Sequence, residues 1–133
     1  MLTIDKMSRK PIYEQLVEGL EREIVTGLLP PQSQLPSIRE LSSVLGVNPN
    51  TVQKALGELD GLGIIISAPG RGMFVAEDAT EKIRNRMSSK ISEIRELSAA
   101  LAKAGVDEEA VLMAVREAYR ANSWKVRERD DLC

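Results

Sequence analysis

One predicted helix of this chain carries a face made for hydrogen bonding. In GVNPNTVQKALGEL, Asn50, Gln53, Lys54 and Gly57 recur at helical spacing, so one side offers two amides, one cation and a gap. Amide side chains can pair bidentately with adenine edges in a major groove, and a lysine can reach guanine acceptors or phosphate. Gly57 would let another backbone approach closely. An ordinary solvated surface has the same composition, so other residues must decide. Arg39 sits in the first turn of a predicted helix, where the macrodipole favours an acid; an anionic phosphate or a guanine would suit it. Arg71 lies in Pro69-Gly70-Arg71-Gly72, a small glycine tip of the kind that can enter a narrow minor groove.

Catalytic chemistry lacks its parts. The chain has no histidine, and its single cysteine, Cys133, ends the charged tail KVRERDDLC. Metal, triad and thiol mechanisms are therefore not expected, and no enzyme activity and no cofactor are anticipated. One cysteine excludes an internal disulfide and gives no sign of an oxidising compartment. No apolar run is long enough to cross a bilayer, and the stretch MLTIDKMSRKP lacks the apolar region of a signal peptide. We read the chain as cytoplasmic, with no membrane partner.

Charge argues for local rather than general attraction to nucleic acid. The formal net charge is −2 over 133 residues. Residues 1–76 hold 7 basic and 8 acidic side chains, and residues 77–133 hold 11 and 12. Neither part is basic, so an anionic partner must be met by a placed patch.

The elements that would position these residues can be read in order. A first helix is predicted over Pro11–Thr26, with Ile12, Leu16, Leu20 and Ile24 as its stripe and Gly27 ending it. The prolines of LLPPQSQLP stop helix growth, although Leu35 can enter a short strand. Ser37 and Glu40 have capping-box spacing and start a second helix, whose buried face is Ile38, Leu41 and Leu45. Gly46-Val47 turn the chain. Asn48 caps a third helix and Pro49 occupies its first position, where no N–H is needed. Val52, Ala55, Leu56 and Leu59 fall within a sector of about 100°, the stripe of a packed helix. Asn50, Gln53, Lys54 and Gly57 lie opposite.

Beyond this the period changes. Ile64–Ser67 and Met73–Val75 read as two strands of a hairpin around the glycine-rich tip. A long amphipathic helix then carries Ile83, Met87, Ile91, Ile94, Leu97 and Leu101 and ends at Gly105. Asp107 is expected to cap a last helix with Val111, Leu112, Val115 and Tyr119 along its stripe. The expected architecture is mostly α with a small β-hairpin: a winged helix-turn-helix over 1–76, followed by a two-helix appendage over 77–133. The hairpin follows the helix-turn-helix at once, in the position of a wing.

These motifs resemble those of GntR-type bacterial transcription regulators. The resemblance covers Pro11 to Val75 and rests on LPSIREL, GVNPNTVQKAL and GRGMFV. The short helical remainder resembles the small YtrA-type subgroup, whose members dimerise through those helices. The resemblance implies a repressor binding double-stranded DNA as a homodimer on a pseudo-palindromic operator. By family position its DNA contacts would fall on Arg39, Asn48, Asn50, Thr51, Gln53 and the wing around Gly70 and Arg71; the reading of the third helix adds Lys54, and Ser37 is included in the expected contact set. Many relatives carry arginines in the third helix, where this chain has Pro49 and Gln53.

Two alternatives remain open at this stage. The C-terminal stripes suit a dimer seam, but they could instead line a pocket for a small-molecule effector. A winged helix can also serve protein–protein contact without DNA, and the acidic balance favours that rival.

Overall fold

The structure is a computed structural model that describes residues 2–122; the tail holding Cys133 lies outside them. It contains α1 (Ile12–Thr26), α2 (Ile38–Leu45), α3 (Pro49–Gly61), β1 (Ile65–Ala68), β2 (Gly72–Val75), α4 (Ala79–Ser88), α5 (Ile91–Lys103) and α6 (Glu108–Ala121). No described helix is long and apolar enough to cross a membrane. The chain divides into two compact units, residues 1–87 and 88–133.

The first unit is built on the aliphatic stripes. Leu16, Leu20 and Ile24 of α1 share one core with Leu41 of α2 and with Val52, Ala55, Leu56 and Leu59 of α3. Ile64, Ile65 and Val75 close it from the hairpin side. Helix α3 packs on α1, α2 and β1, so its position is fixed by three neighbours. Pro11 precedes α1 as its cap residue, with φ of −54°, one position earlier than expected.

The hairpin pairs Ile65 with Val75, Ile66 with Phe74, Ser67 with Met73 and Ala68 with Gly72. Its first strand starts one residue later than expected, because the Ile64 N–H still donates to the Leu59 carbonyl at the end of α3. The other edge of β2 is also covered. The Leu35 N–H donates to the Met73 carbonyl at 2.8 Å and the Val75 N–H to the Ser33 carbonyl at 2.9 Å. The anticipated short strand is thus a single antiparallel bridge, Gln34 to Phe74, while Leu35 itself enters the core. Pairing on both sides leaves β2 no open edge.

The long helix expected from Ile83 to Leu101 is in fact two. The apolar spacing continues from Met87 to Ile91, but the helix stops after Ser88, where serines compete for backbone hydrogen bonds, and the chain restarts as α5 after Ser89 and Lys90. Ile83 therefore takes a different role from the rest of its stripe. It is 4 % exposed and belongs to the first unit's core, so it is not available to a partner. Helix α4 is tied to this unit by two further contacts. Arg86 pairs with Glu21, a carboxylate buried on α1, and Lys82 donates to the Gly63 carbonyl at 3.2 Å. These contacts move the boundary from Ala76 to Met87.

Among the described residues the second unit, taken alone, buries little. Helices α5 and α6 contain no buried residue, although Gly105 at φ +79° lets the Val106 N–H close α5 on the Leu101 carbonyl. Asp107 stands at the N-cap of α6, but its side chain makes no capping hydrogen bond. Ile91, Ile94, Leu97, Leu101, Leu112, Val115 and Tyr119 are all exposed, as is Met87 at the end of the first unit. Val111 is half-buried.

Candidate nucleic-acid interface

The turn between α2 and α3 is held at each of its residues. Ser37 ends the extended approach to α2, and its hydroxyl accepts from the Glu40 N–H at 3.1 Å. Gly46 takes a left-handed conformation, φ +65°, as the C-cap of α2, which a β-carbon would strain. Val47 is buried, and its carbonyl accepts from the Ser42 hydroxyl at 2.5 Å. Asn48 then caps α3: its side-chain oxygen accepts from the Asn50 N–H at 2.8 Å. With Pro49 contributing no N–H, the first turn of α3 starts from a defined point.

This fixes what α3 presents. Its buried face is Val52, Ala55, Leu56 and Leu59, and Asn48, Asn50, Gln53, Lys54 and Gly57 are exposed, with Thr51 half-buried between the two sides. A β-carbon built at Gly57 meets nothing within 4 Å, so no internal packing asks for glycine there. Glycine inside a helix costs about 1 kcal/mol relative to alanine; the open face it leaves suits close approach by a partner.

Lys54 has a protein partner that its spacing did not reveal. Its ammonium lies 3.8 Å from the centroid of the Tyr13 ring on α1, a cation–π contact. Tyr13 was legible only as part of the α1 stripe. Its phenol titrates above the ordinary value, because of the negative charge on Glu14 first, then partial burial, then Glu58. It therefore stays protonated, a neutral donor, across the neutral range.

Arg39 is exposed in the first turn of α2. Ser37, Arg39 and Glu40 line one open groove with Gln34, Gly72 and Met73, which brings the start of α2 beside the base of the wing. At the tip, Gly70 has φ +76°, Gly70 and Arg71 are exposed, and the Arg71 N–H donates to the Ala68 carbonyl at 2.9 Å. Arg71 borders a separate recess, with Gln32, Ile66, Phe74 and Glu77. Among the described residues neither Arg39 nor Arg71 forms an ion pair. The wing tip is also gripped from outside the hairpin: Gln34 donates from Nε2 to the Arg71 carbonyl at 2.8 Å, a contact across 37 positions that no local motif signals.

Comparison with known proteins agrees with this geometry. Residues 12–75 match the family described as bacterial regulatory proteins, gntR family. The HTH-type transcriptional repressor YtrA of Bacillus subtilis is 36% identical over 88% of this chain and 91% of its own length. A GntR family transcriptional regulator from Listeria monocytogenes superposes with a TM-score of 0.68 at 34% identity, over 86% of this chain and 98% of that one. The DNA-binding domain of AraR, solved in complex with operator ORX1, superposes with a TM-score of 0.51 at 34% identity, over 56% of this chain and 93% of that one. The chain belongs to the GntR family of bacterial transcription regulators.

Proposed function

We propose that the protein is a sequence-specific DNA-binding repressor that acts in the cytoplasm as a homodimer on a pseudo-palindromic operator. Helix α3 enters the major groove of each half-site, where Asn50 and Gln53 meet base edges. Lys54, Arg39, Asn48, Thr51 and the N–H groups near Ser37 meet phosphate or neighbouring bases, and Gly70 and Arg71 follow the adjacent minor groove. The observation that carries this reading is the outward face of α3, which holds amides, a cation and an unfilled glycine position on a helix fixed by three neighbours. The operator complex of the related AraR domain and the repressor name of the YtrA relative support it. Selection of bound DNA from a random library tests it: an enriched palindrome is expected, and no enrichment would overturn it.

We assign the dimer seam to α5 and α6, with Met87, Ile91, Ile94, Leu97, Leu101, Val111, Leu112, Val115 and Tyr119. Apolar side chains left exposed in this number, on helices that bury none of their residues, mark a partner site more often than free surface. A protein–protein module without specific DNA binding is the second reading, favoured by the net charge of −2; the same selection separates the two.

A further inference from the structure

Two features of the wing meet at one point. Gly72 has φ +114°, and a β-carbon there would come within 2.7 Å of the Gln34 side-chain nitrogen. Gly72 is thus glycine for its backbone conformation, and a β-carbon there would also displace the Gln34 amide from its place. That amide is placed by its own backbone, which bridges to Phe74 and is flanked by the bonds from Leu35 to Met73 and from Val75 to Ser33. From this base it reaches along the hairpin and donates to the Arg71 carbonyl. The two peptide units that flank the Arg71 α-carbon are therefore each held, the N–H by Ala68 and the C=O by Gln34.

We propose that Gln34 is a positioning residue for DNA recognition, which fixes the backbone of Arg71 and so the direction in which its guanidinium leaves the wing. The proposal rests on reading the wing as a minor-groove element. A three-residue tip between two short strands loses conformational freedom when it docks, and that loss weakens binding. A tip set in advance by Gln34 carries less of it. Gln34 borders the groove that also holds Arg39, so the rival role, direct contact between Gln34 and DNA, must be separated by the test.

The test is a double-mutant cycle on the full chain, read as affinity for the operator that the wild-type protein selects. Gln34→Met keeps the length of the side chain and removes its donor. It is expected to weaken binding by about two- to tenfold, the range for one hydrogen bond. In an Arg71→Ala background the same change should cost nothing further. An equal loss in both backgrounds would assign Gln34 a contact of its own and overturn the proposal, as would no loss in either. Gln34→Glu, which turns an acceptor toward the Arg71 carbonyl, should lose at least as much as Gln34→Met. In the free protein, the backbone amide resonances of Arg71 and Gly72 should shift and show faster internal motion in either variant, with those of α3 unchanged. Unmoved resonances at Arg71 and Gly72 would also overturn the proposal. If the library yields no operator, the DNA-binding reading fails, while the resonance comparison still decides whether Gln34 holds Arg71.

Discussion

The ammonium of Lys54 on α3 stands 3.8 Å above the ring of Tyr13 on α1, so the recognition helix and the first helix are joined at their exposed edge as well as in the core. A partly exposed contact of this kind is worth about 0.5–1 kcal/mol. Tyr13→Phe keeps the ring and should leave stability and operator affinity close to wild type. Tyr13→Leu keeps apolar bulk without the ring face; it should lower urea-unfolding stability by about that amount and weaken operator binding by freeing Lys54. Equal behaviour of the two variants would remove the cation–π contact from the account.

Arg39 offers a prediction of a different kind, because its partner is expected to be phosphate. Arg39→Ala should weaken binding to all sequences alike and reduce the slope of log K against log salt by roughly one unit per site. Titrations of specific and random duplexes across a salt series would show it. A loss confined to one sequence would mean that Arg39 reads a base.

Glu21 and Arg86 couple α1 to the end of α4. Glu21 has 9% side-chain exposure and Arg86 37%, so the carboxylate is the buried member and solvent reaches the arginine. Removing the cation leaves a buried charge, which costs about 3–5 kcal/mol in a fully buried pair; partial solvation here lowers the expectation for Arg86→Met to about 1–3 kcal/mol. Glu21→Gln combined with Arg86→Met should recover part of that loss in urea unfolding. A double variant no more stable than Arg86→Met alone would contradict the buried-charge explanation.

This pair also marks where sequence reading stops. The helix-turn-helix was legible because its signals are local: Ser37, Gly46, Asn48 and Pro49 each act within a few positions, and the stripes of α1 and α3 name their own buried faces. The amphipathic stripe after Ala76 was legible as a stripe, but periodicity does not say what a face packs against. Ile83 went to the first unit's core, whereas Ile91, Ile94 and Leu97 remained exposed. The break at Ser89 was hidden because the apolar spacing runs through it. The partnership of Gln34 with Arg71 spans 37 positions and that of Glu21 with Arg86 spans 65. Neither has a local signature, since both depend on how the hairpin and α4 fold back.

The proposed dimer seam predicts a simple outcome. Leu97 is 65% exposed, so Leu97→Glu should not harm the fold of one chain. It should nevertheless convert a dimer to a monomer in sedimentation at micromolar concentration, because a charge would be buried without a partner, and weaken operator binding by removing the second half-site contact. A wild-type protein that sediments as a monomer under the same conditions would refute the seam.

The central claim is that the outward face of α3 reads bases, and repeating the selection from a random DNA library with Gln53→Ala tests it most directly. The wild-type protein should enrich a palindrome. The variant should retain its spacing and lose preference at one symmetric pair of positions, with a cost of about 1–3 kcal/mol per specific contact on the wild-type operator. Identical motifs from the two proteins, bound with equal affinity, would contradict the claim.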